Sequence, residues 1–350
     1  MNAIQELKIL LFAEGMKVSE SAMSHLTDRG KRPPALRDYV STSGIILQLE
    51  GDIYVNAPTF EEFCKNSKIT LDYEGKRYLL RAPHGDFIVK PVPIARYFFR
   101  KNSEGIPYKA YAITHTDRAR LMPIAGCAFS CKFCDSSYTT RYATKPVKHL
   151  VEAALVALKD DILPARHILI SGGTPRPKDY PYLDEVCRAV ISEVEVPVDI
   201  MVVPRKSLDY VDFLYEIGLD GVYFNIEIFN EAIAAEVMPQ KFAVGKEHYF
   251  SALKRAVQVF GTPKVKSILL VGLEPMSDTL AGVKSLAEIG VTPILSPFRP
   301  SPATPMSDAP PPNAKFLKEV YEESKDICNS YGIKLGPECV PCQHNTLAFP

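Results

Sequence analysis

The stretch "GCAFSCKFCD", residues 126 to 135, sets three cysteines at gaps of three and then two residues, with no fourth cysteine close behind. A closed structural metal site takes four ligands, so three thiols on one loop leave a coordination position open. Thiolates are soft ligands that suit zinc, copper(I) or iron–sulfur clusters. Three of them can hold three corners of a [4Fe–4S] cubane and leave the fourth iron without a protein ligand. Zinc would need a ligand recruited from a distance, because no histidine lies in the loop. An inert reading leaves reactive thiols on a loop without purpose.

Outward from this loop the chain alternates apolar runs with amphipathic stretches. The runs are "ARLMPIAGC" (119–127), "HILISGG" (167–173), "VDIMVVP" (198–204), "GVYFNIEIF" (221–229), "KVKSILLVGLE" (264–274) and "TPILSPFRP" (292–300). Helix candidates lie near 147–160, 181–194, 207–217, 246–260, 278–289 and 313–331. Strand, helix, strand at this spacing predicts parallel pairing with right-handed crossovers. The fold class is therefore α/β: a partial (β/α)6 TIM-like barrel over residues 113–310, with an open doubly wound sheet as the alternative. Residues 1–112, with an amphipathic helix and alternating runs such as "ITLDYEGKRYLLRAP", predict a small N-terminal α+β appendage with antiparallel hairpins. Residues 311–350 add a final helix and a cysteine-containing tail.

In either architecture, chemistry belongs at the carboxyl ends of the strands. Cys127, Gly172, Gly173, Arg205, Glu227, Glu274 and Arg299 all fall there. Arg205 and Arg299 are the candidates to grip a carboxylate or phosphate of cofactor or substrate. In the fourth run, Tyr223, Asn225 and Glu227 alternate with Val222, Phe224, Ile226 and Ile228. A carboxylate in a buried parallel strand is costly unless it meets donors, so Glu227 needs either a ligand or a salt bridge to Arg205 or Lys266.

The C-x3-C-x2-C spacing, with Phe133 just before the third cysteine, resembles the signature loop of the radical S-adenosylmethionine (SAM) enzymes. The resemblance covers roughly residues 113–310. It implies that Cys127, Cys131 and Cys134 hold a [4Fe–4S] cluster and that SAM chelates the open iron. An electron then cleaves the sulfonium, and the resulting 5′-deoxyadenosyl radical abstracts hydrogen. By the same resemblance, Phe133 packs near the adenine, and "SGGTP" (171–175) contacts the SAM amino group through Gly172, Gly173 and Thr174. Thr174 and Pro175 replace the family's acidic residue, which makes that contact mainly backbone. Asn225 and Glu227 would meet the ribose hydroxyls, and Gly272 would turn the chain near the adenine or simply relieve crowding.

The chain ends in "GPECVPCQHN" (336–345), with Cys339 and Cys342 as a C-x2-C pair. Such a pair serves as half a zinc site, as redox thiols, or as part of an auxiliary iron–sulfur cluster. The seven residues of "GIKLGPE" could climb about 20 Å, enough to bring the pair back to the barrel mouth. Cys64, Cys187 and Cys328 each share a face with apolar neighbours and read as packing.

From the fourth run onward the pattern is loosely similar to the biotin-synthase-like and lipoyl-synthase-like branch. That implies a small-molecule or acyl-carrier substrate, an electron donor such as flavodoxin or ferredoxin, and sulfur insertion if the tail carries a second cluster. A radical lyase or mutase with one cluster is the alternative, and a non-enzymatic metal-binding accessory protein is another. The 41 basic and 41 acidic residues balance, so nothing demands an acidic partner. The basic run "RGKRPPALR" (29–37) lacks interleaved aromatics and reads as a solvated loop, which excludes nucleic acid. The opening residues resemble neither a signal peptide nor a membrane span, which predicts a cytoplasmic protein.

Overall fold

The computed structural model describes residues 1–26 and 44–350, so the basic run at 29–37 lies outside the described residues. Helix α1 (Ala3–Glu14) starts at a capping box: Asn2 accepts from the Gln5 amide at 2.9 Å, and Gln5 accepts from the Asn2 amide at 3.0 Å. Two otherwise orphaned donors are thereby satisfied. A short β1 (Lys17–Val18) and α2 (Glu20–Leu26) follow. Then come β2 (Ile45–Gln48), β3 (Tyr54–Ala57), β4 (Thr70–Glu74), β5 (Arg77–Ala82) and β6 (Gly85–Pro91). These six strands form one sheet in the order β1-β4-β5-β6-β2-β3, antiparallel except for the β1–β4 pair.

The second sheet begins with β7 (Ala112–Thr114), which runs antiparallel to β8 (Arg118–Leu121). A two-residue ladder of β9 (Ile124–Ala125) with β10 (Ala143–Thr144) brackets the cysteine loop and the short α3 (Ser136–Thr139). After α4 (Val147–Leu158) the parallel strands continue as β11 (His167–Ile170), β12 (Val198–Met201), β13 (Gly221–Tyr223), β14 (Val265–Val271) and β15 (Thr292–Pro297). The crossover helices are α5 (Tyr180–Ile191), α6 (Asp209–Glu216), the pair α7 (Glu231–Val237) and α8 (Pro239–Phe242), α9 (Lys246–Phe260) and α10 (Met276–Glu288). Strand order is β15-β14-β13-β12-β11-β8-β7, and β7 does not pair with β15 among the described residues. The result is a partial (β/α)6 barrel, open along one side.

Alternation along the strands separates two environments. On β8, Ala119 and Leu121 are fully buried toward the helices, while Arg118 and Arg120 share the other face. Arg118 reaches the Tyr223 hydroxyl at 3.4 Å, and Lys266 pairs with Asp199 at 3.2 Å, so the lumen carries charge. Helix α11 (Ala314–Ser330) buries Leu317, Val320, Tyr321, Ser324 and Cys328 at three- and four-residue spacing. Each aliphatic in such a stripe contributes about 1.5–3 kcal/mol on burial. Cys328 and Cys187 are buried in the apolar core and Cys64 is buried beside Glu61, and burial pushes each thiol up to about 12, which leaves them unreactive.

Two expectations are corrected. The fourth strand stops at Tyr223 rather than running to residue 229, because side chains replace its ladder: Ser267 Oγ takes the Ile226 amide at 3.0 Å, and Asn225 takes the Ile268 amide at 3.1 Å. The tail, moreover, does not climb to the mouth. The Gly336 amide bonds Pro293 and the Leu347 amide bonds Leu295, both at 2.8 Å, which holds the intervening loop across the amino-terminal pole of the barrel.

Lys8 on α1 fixes the same loop. It is fully buried, and its Nζ donates to the Gln343 and Ala348 carbonyls at 2.8 Å each. Lys8→Met keeps the bulk but takes the donor from the Ala348 carbonyl, whereas the Gln343 carbonyl keeps the Thr346 amide at 3.1 Å, so unfolding stability should fall by about 1–3 kcal/mol. Urea titration reads this directly, and an unchanged midpoint would remove Lys8 as the tail's anchor.

Candidate active site

The cysteine loop is built on backbone that tolerates no side chain. Gly126 sits at φ +63 with the Thr140 carbonyl where its Cβ would be. A Cβ on Gly173 would overlap the Gly126 carbonyl oxygen and lie 2.8 Å from Cys127 Cα. Glycine is required there because two backbones touch. That contact lets the Ala128 amide bond the Thr174 carbonyl at 2.9 Å. The Thr174 and Phe129 amides in turn donate to Cys127 Sγ at 3.1 and 3.3 Å. The "SGGTP" segment therefore cradles the first cysteine from behind. Gly172, at φ +131, makes the turn that precedes it.

All three cysteines are free, and Cys131 is 9% exposed. It packs with Ile228, Ala234, Val237 and Met238, and Phe129, Phe133 and Cys134 lie against this cluster. Burial, followed by the Glu227 charge, pushes Cys131 up to about 12, and burial also raises Cys134. Thiols this reluctant to ionise unaided suit a cationic metal group that supplies the missing charge.

Glu227 is the second feature of the site. It holds φ +64, a left-handed conformation that a glutamate adopts only when its surroundings impose it. Its amide bonds Ile268 and its carbonyl accepts from Leu270, both at 2.8 Å, so the turn is locked to β14. Oε1 pairs with Lys241 at 2.7 Å, with side chains 15% and 11% exposed respectively. Burial works against the charged lysine, but Glu227 holds it above its ordinary range. Oε2 is buried with no partner among the described residues. A buried carboxylate oxygen left open beside Cys131 is a vacancy for a hydrogen-bond donor. These residues fit a cluster with a polar ligand next to it.

The remaining candidates have other partners. Asn225 is occupied by the Ile268 amide. Arg205 is held by Asp184, with one bond at 2.9 Å, and lies over the Tyr180 and Tyr210 rings. Arg299 bonds the Asn56 carbonyl on β3, with Glu61 and Cys64 among its charged neighbours. A Cβ on Gly272 would meet Pro312 at 2.8 Å, so this glycine does relieve crowding.

Lys241, not Arg205 or Lys266, is the partner of Glu227. The sequence signalled it only as the charge in "MPQKF" (238–242). Cys339 and Cys342 lie at the far pole, beside Asp117 and His167. Sequence reading left Asp117 unassigned and saw His167 only as the start of a strand.

Residues 121–284 match the model of the radical SAM superfamily. These residues, a little under half of the chain, carry the radical SAM domain and include the three-cysteine loop. A curated relative, the bacteriochlorophyllide c C-7(1)-hydroxylase of Chlorobaculum limnaeum, is 28% identical over 153 residues, which span 43% of this chain and 38% of that protein. A radical SAM methyltransferase from Sphaerobacter thermophilus aligns at 15% identity and TM-score 0.49, over 80% of this chain and 81% of its own. The FeFe-hydrogenase maturase HydG from Carboxydothermus hydrogenoformans aligns at 18% identity and TM-score 0.48, over 62% and 52%. A radical SAM domain implies a [4Fe–4S] cluster and SAM. Among the described residues, no helix is long and apolar enough to cross a membrane.

Proposed function

We propose that the protein is a single-cluster radical SAM enzyme that abstracts hydrogen from a C–H bond of a small-molecule or carrier-tethered substrate, without sulfur insertion. The observation that carries this reading is the open, buried Glu227 oxygen beside Cys131, opposite a cysteine loop braced by Gly173. When bound, the cluster and SAM supply one-electron cleavage of the sulfonium and removal of a substrate hydrogen. Cys127, Cys131 and Cys134 hold the iron. The amides of Phe129 and Thr174 stabilise charge on Cys127 sulfur, and Glu227 takes a hydroxyl or ammonium donor of SAM, oriented by Lys241. Phe133 and the Gly172–Thr174 backbone line the same place.

Position argues against sulfur insertion. Cys339 and Cys342 lie beyond the amino-terminal ends of β8 and β11, with about 10 Å of strand between them and the cysteine loop. A sacrificial sulfur there is remote from a substrate at the mouth. The relative's hydroxylase activity supports a reaction at a C–H bond, and a flavodoxin or ferredoxin is the proposed electron donor.

Anaerobic reconstitution should load about four irons and four sulfides per chain. SAM with dithionite should then yield 5′-deoxyadenosine. Negligible iron would sink the reading altogether, and about eight irons would overturn its single-cluster form.

A further inference from the structure

We propose that Asp117, His167, Cys339 and Cys342 bind one zinc ion tetrahedrally at the amino-terminal pole of the barrel. The site is distinct from the three-cysteine loop, and the inference does not rest on the reaction proposed above. One ligand atom from each of the four residues falls within 4.8 Å of all the others. The individual separations say more. Cys339 Sγ lies 3.4 Å from Asp117 Oδ1 and 3.5 Å from His167 Nε2. Cys342 Sγ lies 3.7 Å from the same oxygen and 3.4 Å from the same nitrogen. His167 Nε2 and Asp117 Oδ1 are 3.6 Å apart.

A tetrahedron built on zinc–sulfur bonds of about 2.3 Å and zinc–nitrogen and zinc–oxygen bonds of about 2.0–2.2 Å has sulfur–nitrogen, sulfur–oxygen and nitrogen–oxygen edges of about 3.3–3.7 Å. The five edges above fall in that range. Hydrogen bonding alone accounts for them poorly. A histidine–carboxylate bond closes to about 2.7–2.9 Å, and here the two stand too far apart to bond well, yet they aim at one point with both sulfurs. A cubane fits no better, because each of its ligands sits on a different iron and the donor atoms stand well apart.

The chain builds the site from rigid parts. His167 opens β11, Asp117 immediately precedes β8, and the sheet register sets His167 opposite Arg118, so two ligands are fixed by strand pairing. The other two come from one tight turn, where the Cys342 amide bonds the Cys339 carbonyl at 3.1 Å and both sulfurs face the same side. Thr116 adds a bond to the Pro341 carbonyl at 3.2 Å. Two thiolates and a carboxylate around a divalent ion leave one excess negative charge. Buried Arg118, which has Cys342 and Cys339 among its charged neighbours, balances it.

Full-length protein purified without added metal, with the three-cysteine cluster loaded, should retain about one zinc per chain in elemental analysis. Cobalt(II) exchanged into that position should give the intense visible bands of a tetrahedral ion and a near-ultraviolet thiolate charge-transfer band. Cys339→Ser with Cys342→Ser should lower zinc affinity by about 100-fold or more while iron loading stays at its wild-type level. Asp117→Asn, a milder change, should retain cobalt with shifted bands and weakened binding. Wild-type protein that takes up neither zinc nor cobalt would overturn the proposal. So would a cobalt spectrum of octahedral type lacking charge transfer, or iron and sulfide that disappear from this position in the double variant.

Discussion

Gly173→Ala is expected to empty the cluster site of an otherwise folded protein. The new methyl overlaps the Gly126 carbonyl oxygen and lies 2.8 Å from Cys127 Cα, and neither is the end of a flexible side chain that could swing away. The two loops must part, so the Ala128–Thr174 bond and the Thr174 amide on Cys127 Sγ are lost together. Overpacking of this kind costs about 1–3 kcal/mol, which a barrel of this size survives, but a ligand moved by an ångström loses its metal. Iron and sulfide after reconstitution should fall at least about tenfold relative to wild type. Gly245→Ala is the control, since it meets nothing within 4 Å and carries only the strain of φ +92. A Gly173→Ala protein with its full complement of iron would show that the close approach is not needed.

Glu227→Gln separates cluster binding from SAM binding. The amide keeps the shape of the side chain and removes the charge, so iron loading should be unchanged while the KM for SAM rises about 10–100-fold. That range corresponds to the roughly 1.5–3 kcal/mol of one hydrogen bond to a charged group. Lys241 is left as a buried cation without a counter-charge, and breaking such a pair costs about 3–5 kcal/mol of stability. The double variant Glu227→Gln with Lys241→Met removes that penalty. It should regain most of the lost stability and none of the lost affinity. Recovery of both would reduce Glu227 to a structural partner of Lys241.

Much of this arrangement was legible in the chain before folding. The six parallel strands and their helices announced themselves because runs of valine, isoleucine and leucine can be buried on both faces, and amphipathic stretches pack only between such runs. The cysteine loop was legible because its ligands are neighbours in sequence. Helices α7 and α8 went unseen, as did the early end of β13, where Ser267 and Asn225 take over hydrogen bonds that a ladder would have made. Periodicity carries no trace of such a substitution. Asp117 and His167 were illegible for a different reason: they are far apart along the chain and meet only through the register of β8 and β11. Arg205 and Arg299 sit at strand ends as expected, but a strand end has a surface as well as a mouth, and sequence does not say which way a long side chain turns.

The open side of the barrel has a colloidal consequence. β15 is a bare edge in strand order, and an unpaired edge is a template on which a second molecule can add a strand. Here Gly336 and Leu347 occupy alternate carbonyls of that edge, at Pro293 and Leu295, so the tail acts as a blocking group. Conditions that loosen the tail, whether a chelator or loss of Lys8, should therefore appear first as self-association in light scattering, before any change in helical signal.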